Sequence, residues 1–151
     1  MGLLLSINIS NGGVPKRPLE SCLITAKGLA GDRQRDLRYH GGPARAVCLY
    51  SQELIEALRA EGHPITAGSI GENLTVDGVA WGEMIPGARF DVGETQVELT
   101  DYAASCNNIA GSFREREFKR VSEKVHPGWS RLYARVLKAG TVRVGDRVAR
   151  S

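Results

Sequence analysis

The stretch "YARVLKAGTVRVGDRV", residues 133–148, gives the clearest indication of the fold. Its alternating apolar and β-branched residues are typical of short β-strands. The same character predicts a strand in each of the upstream runs "LLLSINIS", "ESCLITA", "RAVCLY", "ENLTVDG", "ARFDVG" and "TQVELT". Turns that contain glycine, such as Asp77-Gly78 and Gly93-Glu94, bound these runs. The chain is therefore expected to consist mainly of short strands.

Two segments are predicted to be helices. In "SQELIEALRAEG", Ser51 is a suitable N-cap and Gly62 a suitable end. In "SFREREFKRVSEKV", Ser112 and Glu115 match a capping box, in which each side chain accepts a hydrogen bond from the other residue's backbone N–H. Many short strands with two helices predict an α+β, mainly β protein, built on a barrel or a folded-over sheet, with one domain over residues 1–151.

The composition limits the classes of partner. The chain has 151 residues, enough for one domain with a real core, and a net charge of +3. That small excess fits an anionic ligand and does not argue for nucleic acid. The start, "MGLLLSINIS", is expected to be a strand and not a signal peptide, and no apolar run reaches the roughly 20 residues that span a bilayer. We therefore expect a cytoplasmic protein with reduced thiols that binds neither nucleic acid nor membrane.

The three cysteines have different sequence contexts, and their spacing matches no zinc pattern. Cys22 and Cys48 lie on predicted strands and are interpreted as small core residues. Cys106, in "TDYAASCNNIAGSF", follows a strand and precedes a helix, where the helix dipole can stabilise a thiolate. It is the candidate nucleophile or metal ligand, the alternative being an ordinary buried thiol. Asn107 and Asn108 could cap the helix or bind a ligand.

The segment "GLAGDRQRDLRYHGGPARAV", residues 28–47, is the candidate anion site. Arginine forks suit phosphate and carboxylate groups, and glycine lets a backbone come close to a ligand. The candidate binding residues are Arg33, Arg38, His40, Gly41, Gly42 and Arg45. The alternative is a solvated basic loop with a structural histidine. A basic row on the second predicted helix, formed by Arg116, Arg120 and Lys124, is interpreted as a solvated face.

The pieces "HGGP", "IGENL", a cysteine and "RVLKAGTVRVGD" occur here in that order. Together they resemble the MOSC domain, named for the C-terminal domain of molybdenum cofactor sulfurases, from about residue 28 to residue 148. The resemblance implies a β-barrel and a cysteine, here Cys106, that carries sulfur to the pterin-bound molybdenum cofactor or ligates its metal. It places the HGGP histidine on His40 and two further binding residues on Glu72 and Asn73. The resemblance also implies an association with pyridoxal phosphate binding, at the level of the family only.

The chain departs from the resembled pattern just before the cysteine. Many relatives have an R-x-P-C sequence, whereas Ala103, Ala104 and Ser105 precede Cys106 here. The favoured function is binding of molybdopterin with Cys106 as persulfide carrier or molybdenum ligand, which implies a sulfur donor or acceptor protein. One alternative is a non-catalytic binding or sensor module with a structural cysteine. The other is a molybdenum-dependent reductase component that acts on N-hydroxylated compounds.

Overall fold

The computed structural model describes residues 2–32 and 42–151. The strands within these residues are β1 Gly2–Ile9, β2 Arg17–Leu19, β3 Ser21–Thr25, β4 Gly28–Leu29, β5 Val47–Ser51, β6 Leu74–Asp77, β7 Arg89–Val92, β8 Thr95–Tyr102, β9 Leu132–Lys138, β10 Gly140–Arg143 and β11 Arg147–Arg150. One α-helix of the described residues, α1, spans Gln52–Ala60. Short 3₁₀-helices lie at Pro43–Arg45, Trp81–Glu83, Asn107–Ser112, Arg114–Arg116 and Phe118–Val121. A strand is found in every run for which the sequence predicts one.

Within the described residues, seven strands close into a barrel. Their order is β11-β7-β8-β9-β5-β6-β1, and β1 returns to β11 by pairing Gly2 with Val148 and Leu3 with Arg147. β5 and β6 run parallel, and the other neighbouring strands are antiparallel. β2 pairs with the far end of β1, and β10, β3 and β4 form a separate small sheet. The predicted mainly β barrel with short helices is confirmed.

The first predicted helix is confirmed, with the predicted cap. The Oγ atom of Ser51 accepts a hydrogen bond from the backbone N–H of Leu54 at 3.2 Å. Ile55 and Leu58 are buried against the barrel, and Gly62 ends the turn with a φ of 100°. A positive φ of this size favours glycine, so the chain reverses where the sequence predicts. Among the helices that the structure describes, α1 included, none is long and apolar enough to cross a membrane.

The second predicted helix is wrong. The hydroxyl of Ser112 donates to the backbone oxygen of Ser69 at 3.1 Å instead of capping a helix. The backbone N–H of Arg114 donates to Nδ1 of His63 at 3.0 Å, and Glu115 has a φ of 54°, which a right-handed helix cannot contain. After Ser112 the segment forms two short 3₁₀-helices, Arg114–Arg116 and Phe118–Val121, because contacts with other parts of the chain take the groups that would cap an α-helix.

The basic row predicted on that helix does not form either. Arg120 makes a forked ion pair with Glu61, at 2.9 Å from Nε and 2.8 Å from Nη2, and its guanidinium stacks 4.0 Å from the ring centroid of Trp129. Arg116 donates to the side-chain oxygen of Asn107 at 2.9 Å. For Arg120 the interpretation as a solvated side chain is therefore wrong, because it ties the segment to the end of α1.

The pairing of β8 with β9 positions the loop that contains Cys106. β8 ends at Tyr102, and β9 begins at Leu132, its direct partner in the sheet. The ladder continues one step beyond the strands, because the N–H of Ala103 donates to the backbone oxygen of Arg131 at 2.9 Å. The loop therefore leaves and re-enters the barrel at neighbouring points, with Cys106 close to its start.

Candidate functional site

Cys106 lies on the wall of a cavity of about 50 Å³. This volume gives room for a few water molecules or a small anion. The walls come from the loop after β8, the segment before β2, the loop before β6, and strands β5 and β9. The polar and ionisable residues that line it are Lys16, Cys48, Cys106, Asn108, Arg131 and Tyr133.

Cys106 occupies the predicted strand-to-helix turn. It is half-buried and precedes the 3₁₀-helix Asn107–Ser112, with extended backbone at a φ of −150°. Its backbone oxygen accepts a hydrogen bond from the N–H of Ile109 at 3.2 Å, which fixes the turn. Unlike the other two cysteines, which are buried, this thiol can be reached by a ligand in the cavity.

Cys22 and Cys48 are buried on strands, as the sequence predicts. The Sγ atom of Cys22 donates to the backbone oxygen of Ala30 at 3.4 Å, and burial raises the pKa of its thiol. Burial raises the pKa of Cys48 to about 11. Cys48 also lines the cavity of Cys106, where it packs against Ala103 and Tyr133, and no sequence pattern predicts this position. Only the pairing of β5 with β9 brings it there.

Arg131 is a cavity residue that sequence reasoning missed. Its guanidinium donates to the backbone oxygens of Ile70, at 2.8 Å, and Ala104, at 2.9 Å. The side chain is buried, and its Nε–H has no hydrogen-bond acceptor among the described residues. The available signal was an arginine directly before an apolar strand, in "WSRLYARV", because such a charge must turn inward or end the strand.

Lys16 is the second cation of the cavity wall, and Asn73 helps to hold it in place through Asp32. Nζ of Lys16 lies 2.6 Å from Oδ1 of Asp32, and Oδ2 of Asp32 accepts a hydrogen bond from Nδ2 of Asn73 at 2.9 Å. Oδ1 of Asn73 accepts from the backbone N–H of Cys48 at 2.9 Å. The structure therefore places Asn73 outside the cavity lining, where it fixes two residues that do line it.

Glu72 is fully buried and also lies outside the lining. Its Oε2 atom accepts a hydrogen bond from the hydroxyl of Thr75 at 3.1 Å, whereas Oε1 has no partner among the described residues. Burial raises the pKa of this carboxyl, so its neutral form is favoured. Its predicted binding role stays a prediction.

Glycines bring the loop before β6 close to the segment before β2. The backbone oxygen of Gly68 accepts a hydrogen bond from the N–H of Lys16 at 2.8 Å. Gly68 has a φ of 83°, and a Cβ atom there would lie 2.7 Å from the backbone oxygen of Lys16. No larger residue fits such an approach. This contact forms the part of the cavity wall that contains Ile70 and Gly71.

The predicted anion segment is described only in part. Arg33, Arg38, His40 and Gly41 lie outside the described residues. Gly42 has a φ of 89° and leads into the 3₁₀-helix Pro43–Arg45. The guanidinium of Arg45 lies 5.6 Å from the ring centroid of Tyr133, a lining residue, so Arg45 reaches the outer side of the cavity wall.

Of the two asparagines after Cys106, Asn108 and not Asn107 lines the cavity. A groove of about 410 Å³ adjoins the cavity and shares Asn108, Val14 and Ile109 with it. The groove is also lined by the hydroxyl-bearing residues Thr66, Ser69 and Ser112. The site thus combines a small charged cavity with a groove of the size that a ring system needs.

The metal-ligating side chains of the described residues limit the kind of metal site that could form at Cys106. The described part of the chain contains no group of three or more His, Cys, Asp or Glu side chains placed to bind a metal ion. One soft thiolate beside two cations and a groove fits an anionic cofactor that brings its own metal ligands.

Sequence comparison matches the chain to a known domain family and to two curated proteins. The sequence profile of the MOSC domain matches residues 36–149. The chain is 33% identical over 135 residues to the uncharacterized protein YflK of Bacillus subtilis (strain 168), covering 88% of this chain and 60% of YflK. It is 31% identical over 125 residues to the protein YiiM of Escherichia coli (strain K12), covering 80% of this chain and 54% of YiiM.

The fold is similar to the crystal structure of YiiM from Geobacillus stearothermophilus. The TM-score is 0.78 at 21% identity, with 100% of this chain and 75% of the other chain covered. The chain spans somewhat more than half the length of YflK and of the Escherichia coli YiiM. The barrel, the order of the motifs and the match over most of the sequence lead to one conclusion: the chain belongs to the MOSC domain family.

Proposed function

We propose that the protein binds the pterin-type molybdenum cofactor and presents the thiolate of Cys106 to its metal end, as a ligand or as a sulfur carrier. One observation supports this most directly: Cys106 shares a small cavity with two buried cations, Lys16 and Arg131, beside a larger groove. Association of the MOSC family with this cofactor supports the same assignment.

The two compartments suit the two ends of such a ligand. The groove of about 410 Å³ can take the pterin ring, with the hydroxyls of Thr66 and Ser69 as hydrogen-bonding groups. The cavity of about 50 Å³ takes only the small reacting end. When bound, the cofactor supplies a thiophilic, redox-active metal. The protein supplies the thiolate, the positive charge and the shape of the site.

The carrier role requires only Cys106 and a persulfide donor protein. The thiolate of Cys106 attacks the outer sulfur of the donor's persulfide, and a new S–S bond forms on Sγ of Cys106. The S–S bond of the donor breaks, and the donor leaves as a thiolate. No net oxidation occurs. The half-buried position of Cys106 supports this role, because the thiol is reachable while the cavity shields the outer sulfur from solvent.

The experiment is native mass spectrometry of protein purified without reductant, together with metal analysis. We expect a bound pterin cofactor, or a mass increase of one sulfur atom that peptide mapping assigns to Cys106. Cys106→Ser should lose either signal, and Cys22→Ser is the matched control because Cys22 is buried away from the cavity. Protein expressed with cofactor supply that carries neither species would contradict the proposal, as would a signal that survives Cys106→Ser.

A further inference from the structure

Arg131 has a buried charge that forms no ion pair with a carboxylate of the described residues. The residue is 4% exposed, and its guanidinium donates to the neutral backbone oxygens of Ile70 and Ala104. Its charge acts to lower the pKa of the buried carboxyl of Glu72, but burial has the larger effect and raises that pKa, so the neutral form of Glu72 is favoured. The Nε–H of Arg131 has no acceptor among the described residues. A buried charge without a counter-charge is costly, so the fold keeps this arginine at a free-energy cost.

The other cation of the cavity is compensated. Lys16 is paired with Asp32 at 2.6 Å, and both side chains are buried. No Asp or Glu is among the described residues that line the cavity. Within residues 2–32 and 42–151, the lining cation without an ion-pair partner is therefore Arg131, and an anion is the ligand that would supply a counter-charge.

We infer that the cavity is an oxyanion subsite, in which the guanidinium of Arg131 binds a small oxyanion directly beside the thiol of Cys106. The oxyanion is tetrahedral, such as phosphate, sulfate or molybdate, either free or as the reacting end of a larger ligand. The inference deepens the proposed function, on which it rests, by naming the group that lies against the thiol. It adds a cation next to β9 to the candidate anion-binding arginines of residues 28–47, of which Arg33 and Arg38 lie outside the described residues.

The size and rigidity of the site fit this ligand. A cavity of about 50 Å³ has space for a group of about five heavy atoms and not for a ring system. The bonds to Ile70 and Ala104 hold the guanidinium plane fixed, so little conformational entropy is lost when an anion binds. Ala104 belongs to the same turn as Cys106, so one segment positions both the cation and the thiol. Ile70 and Ala104 take two of the five N–H groups of the guanidinium, so N–H groups remain for an oxyanion.

The test compares two alkylating reagents of similar size at Cys106, anionic iodoacetate and neutral iodoacetamide. The rate ratio at Cys106 is divided by the same ratio for free cysteine, which removes the intrinsic difference between the reagents. In the wild-type protein we expect a preference for iodoacetate, and we expect millimolar phosphate or molybdate to slow its reaction. Arg131→Met should lower the normalised ratio by about tenfold to a hundredfold, the loss of one charge-assisted hydrogen bond.

Arg135→Met is the matched control. Arg135 lies on β9, the strand that Arg131 directly precedes, and it is half-exposed beside Glu98. Its substitution removes the same charge. Its substitution should leave the ratio at Cys106 unchanged. An unchanged ratio in Arg131→Met, or an equal loss in Arg135→Met, would overturn the inference.

Folding defects are recognised within the same experiment. If Arg131→Met loosens the fold, both reagents react faster and Cys48 becomes labelled. The decision then rests on wild-type protein: protection of Cys106 by phosphate, sulfate or molybdate supports the subsite, and absence of protection by all three overturns it.

Failure of the oxyanion subsite can be distinguished from failure of the proposed function. Protection by oxyanions without a pterin cofactor in native mass spectra would leave the subsite and remove the proposed function. A pterin cofactor bound to Cys106, together with an unchanged alkylation ratio in Arg131→Met, would support the proposed function and overturn the oxyanion subsite. Protection by a pterin phosphate alone, and by none of the free oxyanions, would count against a subsite in the cavity and for recognition in the groove.

Discussion

Lys16 and Asp32 form a buried ion pair beside the thiol of Cys106, with Nζ 2.6 Å from Oδ1. Asp32 also accepts hydrogen bonds from the backbone N–H of Ser10 and from Nδ2 of Asn73, each at 2.9 Å. The carboxylate thus joins three separate parts of the chain, and the charges are held by neutral donors as well as by each other. This arrangement keeps one wall of the cavity in place.

Breaking this pair should be costly. Asp32→Asn leaves the charge of Lys16 buried without a partner, and we expect the free energy of unfolding to fall by about 3–5 kcal/mol in chemical denaturation. Glu94→Gln is the control, because it breaks the exposed pair of Glu94 with Arg143 and should have little effect. Equal effects of the two substitutions would show that the buried pair contributes no more than the surface pair.

Cys106 should be the first thiol to react near neutral pH. Burial raises the pKa of Cys22, and it raises that of Cys48 to about 11, so both stay protonated and shielded. Cys106 is half-buried and borders the cavity. Short alkylation followed by peptide mapping should find the label on Cys106. Earlier labelling of Cys22 or Cys48 would contradict the assignment.

Cys48 should prove structural although it borders the cavity. Cys48→Ala should lower the free energy of unfolding by about 1–2 kcal/mol because it leaves a small void, and the oxyanion protection of Cys106 should persist. Cys22→Ala is a matched control, since Cys22 is also buried on a strand but lies outside the lining. A Cys48→Ala protein that unfolds like the wild type and loses oxyanion protection would mean that the roles of the two cysteines were assigned wrongly.

Glu72 should make stability depend on pH. Burial raises its pKa in the folded protein, so the stabilisation is present below the pKa of the unfolded chain and is lost as the pH rises through the raised value. Glu72→Gln imitates the neutral acid and keeps an acceptor for Thr75, so it should remove this loss. The measurement is the free energy of unfolding between weakly acid and neutral pH.

The control for Glu72 is Glu61, whose pKa is shifted in the opposite direction. Hydrogen bonding from Arg120 lowers the pKa of Glu61, so that contribution is present above the unfolded pKa and is lost as the pH falls. Glu61→Gln should therefore remove a loss on the acid side only. If Glu72→Gln leaves the pH profile unchanged, the carboxyl is charged and stabilised by a partner other than Thr75.

Predictions from the sequence succeeded where the deciding forces are local. Strands, α1 and its Ser51 cap follow from alternation and from contacts three residues apart. The helix predicted from Ser112 and Glu115 failed because Ser69 and His63, distant in sequence, bind the groups that would have capped it. Cys106 was found because its strand-to-helix turn is visible in the sequence.

The sequence by itself determined the strand content, the family and the candidate cysteine, because these depend on local pattern and on the order of motifs. Tertiary structure alone decided which side chains share the cavity with Cys106. Barrel closure and the pairing of β5, β8 and β9 bring Cys48 and Arg131 to it, and the close approach of Gly68 brings Lys16. Burial then gives these groups their chemistry, since it raises the pKa of Cys48 to about 11 and leaves the Nε–H of Arg131 without an acceptor among the described residues. Neither effect exists until the chain has folded.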